Sequence, residues 1–204
     1  MSSSHILLAL LALAAAAAPL HAQGQTPPPA AQARPQITFA PSGRASTEIS
    51  VSGGGGGGAR IMIEYGQPHA SGREVIGNLM PLDSVWRAGA NRATHLVTDV
   101  GLNIGGTRIP AGTYSLAVHV SKTEPKLVIN SRTRQWGIPY SNAGEIARVP
   151  MRARTLAEPA ESFTIALVPN ATRPGASAPA APGTGTIVMT WGTMQFSVDF
   201  SAQP

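Results

Sequence analysis

The sequence predicts an all-β protein, an antiparallel β-sandwich or jelly-roll-like barrel of about nine or ten strands. Three observations carry that prediction. Apolar side chains recur at every second position in short runs, the period of a strand with one buried face. Glycine (22) and proline (18) punctuate those runs, and both residues set turns and interrupt helices. No segment sustains a 3.6-residue apolar period.

In chain order, Ser46–Ser52 is a short strand. The six glycines at 53–58 follow it. A phosphate-cradling loop needs a helix N-terminus behind it, and Ala59–Tyr65 is a strand instead, with Ile61, Ile63 and Tyr65 on one face. The glycines therefore read as a hairpin connection. Arg73–Ile76 is a further short strand, turned by Gly77-Asn78. Leu96–Val100 and Leu102–Ile104 are extended, and Gly105-Gly106 is a hairpin signal. Pro110-Ala111-Gly112 turns into Thr113–Val120, where Tyr114, Leu116 and Val118 share a face, and Lys126–Asn130 points Leu127 and Ile129 inward. Arg148–Leu156 alternates as one strand, with Val149, Met151 and Ala153 inward and Arg148, Pro150, Arg152 and Arg154 outward. Pro150 donates no ladder hydrogen bond, which places this strand at an edge or a bulge. Outward arginines on an edge oppose strand-to-strand aggregation; the alternative is an anion-binding strip. Phe163, Ile165 and Leu167 line another strand. Two closing strands carry Ile187, Met189 and Trp191, then Phe196, Val198 and Phe200, with Gln195, Ser197 and Asp199 facing water.

Residues 1–22 have the anatomy of a signal peptide: an apolar Leu/Ala run at Ile6–Ala18, a break at Pro19, and the small Ala22 at the cleavage point. The run of 13 residues is shorter than the ~20 that span a bilayer, so the mature chain has no transmembrane segment. Export to the periplasm or the outside follows. Residues 23–40 are a disordered Pro/Ala/Gln linker, and 41–204 form a single β domain with mobile loops at 53–58 and 169–185. The chain has no cysteine, which excludes disulfides, thiolate metal sites and a thiol nucleophile. Its formal charge of +5 comes from 13 Arg and 2 Lys against 10 acids. That balance favours anionic partners, but no Lys/Arg run or aromatic-interleaved basic patch supports nucleic acid. No cofactor motif is present.

The stretch Val85-Trp86-Arg87-Ala88-Gly89-Ala90-Asn91-Arg92-Ala93-Thr94 concentrates unusual residues. Arginine presents a rigid fork of donors suited to a carboxylate or phosphate, Asn91 tolerates turn geometry, and Trp86 is a stacking surface. With Tyr65, Arg73 and Glu161 these make the candidate ligand-binding set: Tyr65, Arg73, Trp86, Arg87, Asn91 and Glu161. The competing reading makes Trp86 core, pairs Arg87 with a carboxylate such as Glu161, and has Asn91 cap the loop. His69, His95 and His119 show no metal-ligand spacing; His95 and Asp99 share a strand face but lie about 13 Å apart. A triad of Ser71 or Ser84 with His95 and Asp99 can be composed, without a Gly-x-Ser-x-Gly elbow to support it. The favoured function is an exported sandwich that binds a small polar or anionic ligand such as an envelope glycan. The alternatives are a hydrolase that stabilises an anion through Arg87 and Asn91 with Glu161 or His95 as base, and a structural or partner-binding envelope module with an edge strand open for pairing.

The order Tyr65, Pro68, Gly72-Arg73, Gly77, Pro81, Trp86-Arg87-Ala88-Gly89-Ala90-Asn91, Ala93-Thr94, Pro110-Ala111-Gly112-Thr113-Tyr114-Ser115-Leu116, Asn130, Trp136-Gly137, Tyr140, Arg148-Val149 and Glu161-Ser162-Phe163 resembles the bacterial family called domain of unknown function twenty-nine eleven. The resemblance runs from about residue 41 to 200 and implies an exported β-rich domain with no assigned reaction. The chain departs from the family pattern at Gln67, where the family carries Arg, and at Arg92 and Gly192, where it carries Glu. Acid–base chemistry through those positions would be lost here, whereas a binding role is less affected.

Overall fold

The computed structural model describes residues 41–52, 58–133, 135–136, 138–170 and 183–203. The segments read as a signal peptide and linker lie outside the described residues, as do 53–57 of the glycine run and 171–182 of the loop read at 169–185.

Eleven strands make two antiparallel sheets. They are β1 (Arg44–Ser52), β2 (Gly58–Gly66), β3 (Val85–Trp86), β4 (Thr94–Thr98), β5 (Gly101–Ile104), β6 (Thr107–Ile109), β7 (Gly112–His119), β8 (Lys126–Asn130), β9 (Glu145–Pro150), β10 (Arg152–Pro169) and β11 (Thr184–Gln203). The larger sheet runs β1-β2-β4-β7-β8-β9, with β3 also paired to β7; the smaller runs β10-β11-β5-β6. The sheets are not closed into a barrel, so the fold is a β-sandwich. β1 and β2 pair across the glycine run, Ser52 opposite Gly58, as its reading as a hairpin connection expects.

The core lies between the sheets. Ile61, Ile63, Leu96, Leu116, Val118, Leu127 and Ile129 come from one sheet, and Leu102, Ile104, Phe163, Ile187, Met189, Phe196 and Val198 from the other. Phe163 is 1% exposed and sits among aromatic rings. Its centroid lies 5.5 Å from that of Tyr65, 4.9 Å from that of Trp86 and 6.1 Å from that of Trp191, and Trp86 stacks on Trp191 at 5.5 Å. Edge-to-face and offset contacts of this kind add to the apolar burial.

Three sequence expectations are corrected. Arg73–Ile76 is not a strand: the segment is a turn, held by the backbone bonds Arg73 N to Ala70 O and Met80 N to Val75 O. Arg148–Leu156 is not one strand: it leaves the larger sheet at Pro150 and enters the smaller at Arg152, and Met151 N bonds Pro125 O at the crossing. Period-two alternation continues through such a crossing because Val149 and Met151 both point into the same core. Pro150 is nevertheless on an edge strand, since β9 ends the larger sheet. The two closing strands are a single 20-residue strand, β11. Gly192, at φ +55, lies between the two apolar runs, and a Cβ there would lie 2.7 Å from the Val75 Cβ.

Candidate functional site

The Trp-Arg-Ala-Gly-Ala-Asn stretch is a tight turn at the end of β3. Trp86 is turned to the core, as the two-residue period demands for one neighbour of an outward Arg87. Ala88 (φ +50) and Asn91 (φ +62) both hold left-handed backbone, a conformation that asparagine tolerates best among residues with side chains. Thr94 Oγ1 donates to Ala88 O at 2.6 Å and Ala90 N to Gly66 O at 3.1 Å. The turn packs so closely on β2 that a Cβ at Gly66 would lie 2.0 Å from Ala90 O. Most of the motif is therefore turn architecture, and Arg87 is its member directed to a surface hollow.

That hollow lies on the outer face of the larger sheet. Register places a polar residue from each of six strands in one row across it: Ser46, Glu64, His95, Ser115, Asn130 and Glu145. The connection between β8 and β9 crosses the middle of this row. Gln135 Nε2 donates to Ser115 Oγ at 3.0 Å, and His95 Nε2 donates to Thr133 O at 2.7 Å. Asn130, 2% exposed, donates to Ser141 O and Ala143 O and accepts from Arg132 N at 2.8 Å. Tyr140 donates from its hydroxyl to Glu145 Oε2 at 2.6 Å, and Arg148 pairs with Glu145 at 2.6 Å.

Two small hollows remain under this connection. One, about 10 Å³, is lined by Arg87, Ala93, Ser115, Leu116, Ala117, Asn130, Gln135 and Tyr140. The other, about 80 Å³, shares Gln135 and Tyr140 and adds Arg132, Pro139 and Ser141. The Arg87 guanidinium donates from Nε to Gly89 O at 3.1 Å, and no carboxylate among the described residues lies within ion-pair distance of it. Burial pulls its pKa below the ordinary value, though an arginine stays charged at any physiological pH. Tyr140 is pushed up to about 12, first by burial and then by its bond to Glu145. It therefore remains a neutral hydroxyl.

The remaining candidates lie elsewhere. Tyr65 is 4% exposed and belongs to the aromatic core with Trp86. Asn91 donates to Ser42 O at 3.3 Å on an exposed turn. Arg73 and Glu161 come together on a separate cleft of about 390 Å³, with Glu74, Val75, Pro159, Ala160 and Gly192. There Arg73 donates to Ala70 O and His69 O, and Glu161 Oε1 accepts from Ser71 N at 2.7 Å. Both are tied to the backbone of the same turn, so the Arg87–Glu161 pair of the competing reading is not formed. The outward arginines are mostly engaged: Arg148 with Glu145, and Arg152 bidentately with Asp199 at 2.8 Å.

The three histidines are separated. His69 Nδ1 and Ser162 Oγ are 2.8 Å apart, while His119 Nδ1 is buried with no partner among the described residues. Among those residues no three His, Asp or Glu side chains converge on a metal position. Ser115, Asn130, Gln135, Tyr140 and Arg132 are not among the site candidates read from the sequence, although Ser115, Asn130 and Tyr140 stand in the family pattern. Each is an ordinary polar residue within or after a strand, and only the register and the returning connection bring them to Arg87.

Fold and site together define an antiparallel β-sandwich with a polar, cation-bearing outer face. The family described as "Protein of unknown function (DUF2911)" matches residues 46–200, and the chain belongs to it. Comparison with curated proteins and with solved structures finds no match.

Proposed function

We propose that this protein is an exported sandwich that binds a small anionic ligand in the hollows beside Arg87. The observation that carries the reading is the Arg87 guanidinium: partly buried, without a carboxylate partner among the described residues, and walled by neutral hydrogen-bonding groups. A charge drawn partly out of water gains from a partner of opposite sign, and an arginine fork supplies two parallel donors to a carboxylate or phosphate. The hollow at Arg87 has room for about one oxygen atom, and the adjoining one, with Arg132 on its wall, takes the rest of the anionic group. Export is supported by the apolar run Ile6–Ala18, the break at Pro19 and the small Ala22. Among the described residues no helix is long and apolar enough to cross a membrane.

Titration calorimetry of the full chain against acetate, phosphate, glucuronate and acidic glycan fragments tests the binding. At least one anion is expected to give heat that Arg87→Met removes. Heat from none of them, or heat unchanged in the variant, refutes the site. Export is checked by the mass of the protein recovered from a secreting host, which is expected to begin at Gln23.

A further inference from the structure

We infer that the ligand of this site is an amphipathic carboxylate, its anionic head between Arg87 and Arg132 and its apolar body across Trp136 and Ile138. The inference rests on the anion-binding reading above and adds the nature of the rest of the ligand. Its basis is where apolar surface is left exposed. Five large apolar side chains are exposed among the described residues: Leu82, Trp136, Ile138, Ile146 and Val168. Two of the five, Trp136 and Ile138, stand in the connection whose Gln135, Pro139 and Tyr140 line the hollows. Trp136 at 58% and Ile138 at 56% are the most exposed of all. They interleave with the lining: Gln135, Pro139 and Tyr140 face the hollows, whereas Trp136 and Ile138 stand out into solvent. The same short connection thus presents hydrogen-bonding groups inward and apolar groups at the rim.

Large apolar side chains clustered at the rim of a polar site mark a surface that is covered in use. The chemistry separates two ligand classes. A sugar acid would stack on Trp136 but would meet no hydrogen-bond partner at Ile138, whose side chain offers dispersion and desolvation only. An alkyl or aryl body gains from both. Of the two acids in the polar row, Glu145 has its charge offset by Arg148 at 2.6 Å and is further held by Tyr140, and Glu64 is paired with Arg44 at 2.7 Å, so neither repels an arriving carboxylate.

The test uses the full chain, labelled with ¹⁵N, and two reporters: the Arg87 Nε–H signal for the head and the Trp136 indole N–H for the body. Arg87→Met and Trp136→Ser assign the two signals. The other tryptophans, Trp86 and Trp191, pack in the core, so Trp136 is the indole that a surface ligand moves. The probes are acetate, glucuronate, and decanoate below its micelle concentration. Acetate and decanoate are expected to shift Arg87, and decanoate alone to shift Trp136. Decanoate should bind about tenfold or more tighter than acetate, the gain that burying about two methylenes supplies. Trp136→Ser should remove most of that advantage and leave acetate binding unchanged.

Equal affinity for acetate and decanoate, an unmoved Trp136, or tighter binding of glucuronate than of decanoate would overturn the amphipathic ligand while the anion site stood. Decanoate moving Trp136 without Arg87 would overturn it as well, as adsorption to an apolar patch. No shift of Arg87 with any probe would bring down the anion site itself.

Discussion

Replacing Asn130 by alanine removes the side chain that holds the β8–β9 connection against the outer face. Its amide makes three bonds to that connection: from Nδ2 to Ser141 O at 3.3 Å and to Ala143 O at 3.1 Å, and to Oδ1 from Arg132 N at 2.8 Å. At roughly 0.5–1.5 kcal/mol net per bond, three bonds amount to about 3 kcal/mol. Water can reach part of the freed backbone, because Ser141 and Arg132 lie at the surface, which lowers the expected loss to about 2–3 kcal/mol. For a domain of this size that is a fall in Tm of about 4–12 °C. Urea unfolding followed by circular dichroism measures it. Asn130→Asp keeps the acceptor for Arg132 N but faces two carbonyls with a carboxylate, so it should be no more stable than the alanine variant. A loss under about 0.5 kcal/mol for Asn130→Ala would refute the reasoning, since the connection would then hold its place without Asn130.

Other substitutions test other parts of the account. Phe163→Ala empties the centre of the aromatic cluster and should cost about 3–5 kcal/mol, with the emission of Trp86 and Trp191 shifting to the red; Phe163→Leu should cost less. Arg152→Ala removes a bidentate pair whose side chains are 62% and 58% exposed, and it should change stability by less than about 1 kcal/mol despite the 2.8 Å distances. Tyr140 binds its proton more tightly in the fold, at about 12 against an ordinary 10.0. Its contribution is full below pH 10 and is lost as pH rises toward 12, so Tyr140→Phe should flatten the alkaline limb of a urea-midpoint profile. Glu145 is lowered from 4.5, first by the Arg148 hydrogen bond. Its contribution is present above pH 4.5 and is lost as pH falls below, so Glu145→Gln should flatten the acid limb.

Local pattern made the strands legible, and tertiary geometry hid the site. Leu116, Val118, Leu127 and Ile129 recur at every second position and lie in the core as expected, although the intervening Ala117 and Val128 are buried as well. The same alternation could not show that Val149 and Met151 belong to different sheets, because the inner faces of both sheets are apolar. Nor could it show that β11 runs unbroken past Gly192, since a left-handed glycine within a strand carries the same letter as one in a turn. At Trp86-Arg87-Ala88-Gly89-Ala90-Asn91 the sequence marked the right place for a reason that is mainly conformational: Gly89 and Asn91 serve the backbone and Trp86 the core. Arg87 was visible as a candidate. Its companions were not, because Ser115 and Asn130 meet through register and Gln135 and Tyr140 through a connection that folds back. Arg73 and Glu161 were grouped with Arg87 by residue type alone, and the structure gives them a cleft of their own.

The central claim is that Arg87 is a cation kept for a ligand and not for the fold, and the unfolding free energy of Arg87→Met measures this most directly. Without added anion, the variant is expected to lose no more than about 1 kcal/mol, the hydrogen bond from Nε to Gly89 O, because no carboxylate loses its partner. Adding acetate or phosphate should then stabilise the parent and leave the variant unchanged. A loss of about 3–5 kcal/mol in anion-free buffer, the cost of breaking a buried ion pair, would show that Arg87 holds the fold together and would contradict the account.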